Sequence, residues 1–139
     1  LYNGYEREYT TNPKMELGAR LDEGADPYSV GSYAKFKGST YSPDAIYERM
    51  ERFIEQNRDD NFFLMWTTTI PHSALTAPDE WVEKYVKKFG DESPVYTGKG
   101  YFPTRYPRAT YAAMLSYLDF QIGNLVKLWS AERCGRLRK

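Results

Sequence analysis

The apolar run "FFLMWTTT" at residues 62–69 constrains the fold more than any other stretch of this chain. In its first half both the odd and the even positions are apolar, so neither face of a strand would be polar. The run is rich in aromatic and β-branched residues, and turn-forming residues lie on both sides of it. Such a run is typical of a β-strand buried on both faces in the sheet of an α/β protein. Because one buried strand without visible partners is an incomplete sheet, the sequence predicts part of an α/β fold.

Three helical patterns accompany the predicted strand. "SPDAIYERMERFIEQN" starts the first helix, with Ser42 as the expected cap and Pro43 at the first helical position. "TAPDEWVEKYVKKF" predicts a second helix that begins near Thr76 or Ala77, and "RATYAAMLSYLDFQIGNLVKLW" predicts the third. Gly123, inside the third pattern, predicts a close helix contact. The expected apolar stripes are Ile46, Met50, Phe53 and Ile54; Trp81, Tyr85 and Phe89; and Tyr111, Met114, Leu115, Leu118, Ile122, Leu125 and Trp129.

The chain divides into three parts by pattern. Residues 1–41 are rich in Gly and Pro without a sustained period and predict a loop-rich segment with short strand pieces. Residues 42–129 carry the helix–strand–helix–helix order, and residues 130–139 form a divergent tail in which the pattern stops. Either short strands lie within the first part, or the chain is a piece of a larger domain; we expect the second.

Bulk composition excludes several classes of protein. Lys plus Arg and Asp plus Glu both number 19, so the zero formal charge argues against nucleic acid or an anionic membrane surface as a partner. No apolar stretch approaches the roughly 20 residues of a membrane span. One cysteine permits no internal disulfide and no zinc site of several Cys and His. The start "LYNGYEREYT" lacks a signal-peptide pattern.

His72 is the only histidine, and it follows the predicted strand directly in "IPHSAL". Ligands of open α/β sheets bind just outside the carboxyl ends of the strands. That position makes His72 a candidate binding residue, although a lone histidine after a strand is more often a structural or solvated loop residue.

Acidic residues elsewhere in the chain give weaker signals. Asp119 lies in the middle of the third predicted helix, where we expect a capping or arginine-pairing role rather than catalysis. The remaining acidic pairs are interpreted as solvated surface: Asp59 and Asp60, Asp79 and Glu80, and Asp91 and Glu92.

Three blocks of the sequence together resemble one family. "FFLMWTTTIPHSALTAPDEW" resembles the sulfatase segment in which an apolar strand ends in Pro-His before an acidic helix start. "YPRATYAAMLSYLDFQIGNLVKL" is similar to the next sulfatase helix, with its Arg-Ala-Thr-Tyr, central Asp and following Gly. "YSPDAIYERMERFI" is similar to the preceding helix. The resemblance runs from about Tyr41 to Leu128, and residues 1–40 match loosely.

The resemblance implies a hydrolase of sulfate esters of carbohydrates or aryl compounds, with an alkaline-phosphatase-like mixed sheet flanked by helices. It implies a formylglycine nucleophile made from Cys or Ser in a C/S-x-P-x-R motif, and a divalent cation, usually calcium, in the complete enzyme. The histidine of the Pro-His segment contacts the sulfate group, so this role falls on His72 alone. The expected partner is a sulfated small molecule or glycan, and the expected location is periplasmic, secreted or lysosomal.

Departures from the family pattern are equally informative. No C/S-x-P-x-R motif precedes Pro71 and His72, and no Asp-Asn-Gly block follows the third helix. Cys134 and Arg138 have the spacing of the nucleophile motif, but Arg136 replaces its proline and the position is downstream. We therefore expect no catalytic residue and no metal ligand in this chain, and no activity by the chain alone. A shifted reading frame after about Leu128 would explain the tail.

Two other functions stay open on the sequence. One is a hydrolase of phosphate esters from the same superfamily, which would use a Thr or Ser nucleophile. The other is a non-catalytic remnant or binding module. The basic and aromatic segment "TGKGYFPTRYPR", with Lys99, Arg105 and Arg108, is interpreted either as a substrate-facing loop for a sulfated sugar or as an ordinary loop.

Overall fold

A computed structural model describes residues 5–6, 20–38, 40–98 and 100–136, with the backbone alone at residues 5–6 and 131–136. Its elements are strand β1 (Tyr5–Glu6), a 3-10 helix (Val30–Phe36), strand β2 (Thr40–Tyr41), and helices α1 (Ser42–Gln56), α2 (Asp79–Phe89) and α3 (Pro107–Arg136). Strands β1 and β2 pair antiparallel, with Tyr5 opposite Tyr41. None of the helices in the described ranges is both long and apolar enough to cross a membrane.

Helix α1 confirms the predicted helix start. Pro43 lies in its first turn, where its missing N–H has no intrahelical partner to lose. Ser42, however, is the first helical residue, and the cap position belongs to Tyr41, which makes no side-chain cap bond. The predicted stripe is confirmed in its centre, since Met50 and Ile54 are buried.

Helix α2 packs along α3 and, with the loop at residues 70–78, builds the apolar core. It begins at Asp79, after the residues Thr76 and Ala77 that the sequence favoured. The buried core residues are Ile70, Ala77, Ala113 and Met114, and around them pack Leu75, Trp81, Val82, Tyr85 and Leu118. Phe89, predicted to lie on the apolar edge, is exposed.

Helix α3 buries only part of the predicted stripe, since Met114 is fully buried and Leu118 packs against the core. Ala109, Ala113 and Met114 have no exposed surface, and Gln121 is also buried. The predicted stripe is wrong at Tyr111, Leu115, Ile122 and Trp129, which are all exposed. The physical reason is coverage: α2 and the loop at residues 70–78 cover one side of α3, while the apolar side chains are spread around more of its circumference.

Two further expectations about α3 fail. The close helix contact predicted at Gly123 is wrong, because a Cβ at that position would meet nothing within 4 Å. The helix also continues to Arg136, through most of the tail in which the apolar pattern stops. Backbone hydrogen bonds extend a helix without requiring an apolar face, so the end of the pattern does not mark the end of the helix.

Residues 62–69 form no strand in the structure, so the strand predicted there is wrong for the described part of the chain. Phe63 and Met65 are 84% and 69% exposed, whereas Phe62 and Trp66 are partly buried. The Phe62 ring lies edge-on to Phe53 and Trp129, with centroids 5.4 and 5.3 Å away. A segment with strand propensity becomes a strand only when another strand pairs with it, and no strand of the described ranges pairs with residues 62–69. The mixed sheet therefore does not form within these residues.

Candidate functional site

His72 lies in the loop that connects residues 62–69 with α2, and its side chain is exposed. The side chain of Ile70 is buried and anchors the loop. The backbone N–H of Ile70 donates to Thr68 Oγ1 at 3.1 Å. The His72 N–H donates to the Thr69 carbonyl at 2.7 Å, which closes a turn around Pro71. These contacts fix the backbone that presents the imidazole.

The hydrogen bond between His72 Nδ1 and the Ser73 carbonyl determines the chemistry of the ring. A carbonyl oxygen can only accept, so Nδ1 carries the hydrogen and donates it. In the neutral ring Nε2 is then an acceptor, and it becomes a donor only when the ring is protonated. His72 can therefore donate from Nε2 to an anionic group only as the imidazolium, which also adds a positive charge.

A hairpin-like loop, which starts at Tyr96 and ends at Thr104, lies beside His72. Tyr96 and Thr104 exchange two backbone hydrogen bonds of 3.2 and 2.8 Å. Thr104 Oγ1 donates to the Leu75 carbonyl at 3.3 Å, which ties this loop to the loop that carries His72. At its tip the Tyr101 ring stands edge-on to the imidazole, with centroids 5.9 Å apart. Tyr101 thus brings part of the segment "TGKGYFPTRYPR" next to His72.

The cations of the segment "TGKGYFPTRYPR" do not form one cluster in the described residues. The Arg105 guanidinium carbon lies 4.5 Å from the centre of the Tyr106 ring. Arg108 has an exposed side chain, and its Nε is 3.6 Å from Glu92 Oε2. Lys99 lies outside the residues that the structure describes. The interpretation of this segment as a substrate-facing loop stays a prediction.

A cavity of about 330 Å³ lies between the 3-10 helix, α2 and the hairpin-like loop. His72 is not among the residues that line it. The lining consists of Val30, Tyr33, Phe36, Lys37, Leu75, Thr76, Ala77, Asp79, Val82, Glu83, Val86, Lys87, Phe102, Pro103, Thr104, Arg105, Tyr106 and Thr110. This cavity and the candidate sulfate-binding residue are therefore separate features of the surface.

Glu92 corrects one of the interpretations of the acidic pairs. Its side chain is buried rather than solvated, and its carboxylate accepts the backbone N–H groups of Arg108 and Ala109, both at 2.7 Å. The carboxylate thus satisfies two free donors at the positive end of α3. Asp91 is exposed, as the sequence predicted.

The other acidic pairs are confirmed as surface residues. Asp59 and Asp60 are exposed, and so are Asp79 and Glu80 in the first turn of α2. Asp79 forms an ion pair with Lys37 at 2.5 Å. Carboxylates in the first turn of a helix stabilise its positive end without further chemistry.

Asp44 lies in the first turn of α1 and links that helix to α3, a contact that the sequence did not predict. It accepts hydrogen bonds from the Tyr117 hydroxyl at 2.5 Å and from Gln121 Nε2 at 3.1 Å, and so joins α1 to α3. Burial raises the pKa of Asp44, and the bond from Tyr117 opposes this rise only in part. Burial and the nearby Asp44 raise the pKa of Tyr117, so its hydroxyl stays a donor. The only sequence signal is the i, i+4 spacing of Tyr117 and Gln121, which a helix places on one face.

Asp119, by contrast, is exposed and has no arginine within ion-pair distance in the described part of the chain. The predicted arginine pairing is therefore wrong. Asp119 lies two residues from both Tyr117 and Gln121, a spacing that places it away from their face of α3.

No group of three or more His, Cys, Asp or Glu side chains within the described ranges could hold a metal ion. Those residues therefore do not fit the calcium site that the resemblance implies.

Comparison with known proteins places the chain in one family. The family model described as Sulfatase matches residues 2–133, which is nearly the whole chain and extends the resemblance well before Tyr41. The chain therefore belongs to the sulfatase family, whose members hydrolyse sulfate esters on an alkaline-phosphatase-like α/β fold. No match was found among curated proteins.

Proposed function

We propose that this chain is part of the catalytic domain of a sulfuric ester hydrolase, and that His72 binds the sulfate group of the substrate. The family match supports the reaction class. The single observation that supports the role of His72 is its geometry: an exposed imidazole on an anchored loop, with Nδ1 committed to a carbonyl and Nε2 as its other hydrogen-bonding atom. The proposed substrates are sulfate esters of carbohydrates or aryl compounds.

The proposed role of His72 is electrostatic and positional. The imidazolium brings a positive charge and an Nε2–H donor to the sulfate oxygens, and both interactions strengthen as charge develops on the ester oxygen. The edge-on Tyr101 ring and the Ser73 carbonyl restrict the rotation of the imidazole. A positioned donor loses less entropy on binding than a mobile one.

We further propose that residues 62–69 are a strand of the mixed sheet in the complete domain. The exposed Phe63 and Met65 and the family match support this assignment. The formylglycine nucleophile and the calcium ligands would then come from parts of that domain outside the described residues.

The test is a substitution of His72 in the complete catalytic domain, encoded by the source gene. His72→Ala is expected to lower kcat/KM for 4-methylumbelliferyl sulfate by about 10²–10³, the usual loss when one hydrogen-bond donor to a developing negative charge is removed. His72→Gln keeps a neutral donor but loses the charge, so we expect an intermediate loss. Unchanged kinetics in His72→Ala would remove the assignment.

Two controls complete this experiment. Arg58→Ala changes an exposed cation after α1 and should leave the kinetics unchanged. Assay of 4-methylumbelliferyl phosphate in parallel separates a sulfatase from a phosphate ester hydrolase of the same superfamily. A preference for the phosphate would contradict the proposed reaction while leaving the family membership intact.

A further inference from the structure

The geometry points to a second binding site in this chain: the cavity between the 3-10 helix and α2 takes a small organic anion, with its apolar body inside and its single oxyanion group on Arg105. The ligand class is a small aromatic or aliphatic molecule with one terminal carboxylate or sulfonate. This site is separate from His72 and does not depend on the proposed hydrolase activity.

The size and the walls of the cavity suit the apolar body of such a ligand. Val30 and Phe36 of the 3-10 helix, Val82 and Val86 of α2, and Phe102 of the hairpin-like loop contribute apolar walls. The volume of about 330 Å³ is at the lower end of the range for small-molecule sites, roughly 300–1,000 Å³. Side chains from three elements enclose it, so a ligand would be held from several sides.

Arg105 supplies the charge. Its Nε is buried and has no hydrogen-bond partner, and none of the ion pairs formed within the described residues includes it. Its guanidinium packs on the Tyr106 ring, an arrangement that leaves the edge of the guanidinium for an oxyanion. The guanidinium carries further donors on its terminal nitrogens, and a planar oxyanion can accept two parallel hydrogen bonds from them.

The other charged groups of the lining favour an anion with a single charge. Lys37 is already paired with Asp79, so neither contributes an uncompensated charge. Glu83 and Lys87 lie one turn apart on α2 and bring one charge of each sign. Arg105 is then the uncompensated cation of the lining, and its single positive charge matches a ligand with one negative charge.

Tyr33 does not compete for Arg105. Its hydroxyl donates to the Pro27 carbonyl at 2.6 Å. Burial raises the pKa of Tyr33, although Arg105 opposes the rise, so the phenol stays neutral. The positive charge of Arg105 is therefore not balanced by a phenolate in the same cavity.

The cavity adjoins the loops of His72 without including it. Tyr101 contacts the imidazole, and the next residue, Phe102, lines the cavity. Leu75 in the lining also accepts the bond from Thr104 that ties the two loops together. Binding in the cavity and binding at His72 can consequently be measured independently by substituting Arg105 or His72.

The test titrates the 139-residue chain with naphthalene-2-carboxylate, naphthalene-2-sulfonate and the neutral naphthalene-2-carboxamide. Calorimetry gives the Kd values, and ¹H–¹⁵N spectra follow the Arg105 Nε–H signal. We expect both anions to bind at least about tenfold more tightly than the carboxamide, as one charge-assisted contact allows. Their addition should shift the Arg105 signal, whereas equal binding of the carboxamide would overturn the proposal.

Matched variants locate the site. Arg105→Gln is expected to abolish the preference for anions, while Arg58→Gln and His72→Gln should preserve it. Val86→Trp fills the cavity and should prevent binding with an unchanged circular dichroism spectrum. Phe63→Ser should bind as the unaltered chain does, and loss of binding there would place the ligand on the exposed residues 62–69. If the cavity variants do not fold, the Arg105 Nε–H shift in the unaltered chain still decides: no shift at saturation overturns the proposal.

Discussion

The α2–α3 core and the segment at residues 62–69 are both apolar, but the chain buries only the first. Ala113 and Met114 are enclosed by α2 and the loop that follows residue 69. In the segment, Phe62 packs against Phe53 and Trp129 while Phe63 and Met65 face outward. Apolar content alone therefore does not determine burial, because burial also requires neighbouring elements that cover the side chains. Elements of this chain cover the α2–α3 core, whereas the segment exposes apolar side chains to the surface.

The largest expected effect distinguishes two adjacent residues of α3. Met114→Ala should lower the free energy of unfolding by about 2–5 kcal/mol, because it removes a fully buried side chain and leaves a cavity beneath α2. Leu115→Ala, one position along on the exposed side, should change it by less than about 0.5 kcal/mol. Urea unfolding of the 139-residue chain measures both. Similar losses in the two variants would contradict the assignment of the buried face.

A second effect concerns the link between α1 and α3 and appears as a pH dependence. Burial raises the pKa of Asp44 above its ordinary value of 3.8, with a smaller contribution from Glu48. Between the ordinary and the raised value the folded chain holds more protons than the unfolded chain, so stability falls as pH rises through that window. Asp44→Asn keeps an oxygen that can accept from Tyr117 and Gln121 but does not ionise, so this fall should disappear.

Thermal unfolding from acidic to neutral pH measures this effect, and Asp119→Asn is the matched control on the exposed side of α3. The control should keep the pH profile of the unaltered chain. A profile that stays unchanged in Asp44→Asn would show that the link between the two helices does not depend on the ionisation of this carboxyl group.

Local signals in the sequence predict the helices and the candidate binding residue. Ser42 and Pro43 mark the start of α1 to within one residue, and the block around Pro71 and His72 is specific enough to indicate the family. These features act over a few residues, so they are visible in the order of the letters. The family match then confirms the identification over residues 2–133.

Features that join distant residues are not visible in the same way. Tyr117 and Gln121 are 73 and 77 positions from Asp44, and Glu92 accepts from backbone groups 16 and 17 positions away. No local pattern indicates such partners. The strand predicted at residues 62–69 fails for a related reason, because propensity describes the segment but cannot supply the neighbour with which it would pair.

The smallest effect expected in the chain itself is the most informative about residues 62–69. Phe63 is almost fully exposed, so Phe63→Ser should change the free energy of unfolding of the 139-residue chain by less than about 0.5 kcal/mol. In the complete catalytic domain, where we propose that the segment is a buried strand, the same substitution should cost about 3–5 kcal/mol. Phe62→Ser should destabilise both forms, since its ring packs against Phe53 and Trp129 in this chain.

Light scattering adds a second measurement on the same variant. The exposed apolar side chains of residues 62–69 favour association between copies, and Phe63→Ser should reduce it in the 139-residue chain. Equal tolerance of Phe63→Ser in the chain and in the complete domain would mean that no strand or helix ever covers this side of the segment. The proposed mixed sheet would then have to be built without residues 62–69, whereas a loss confined to the complete domain would identify them as a strand whose partners lie elsewhere in the protein.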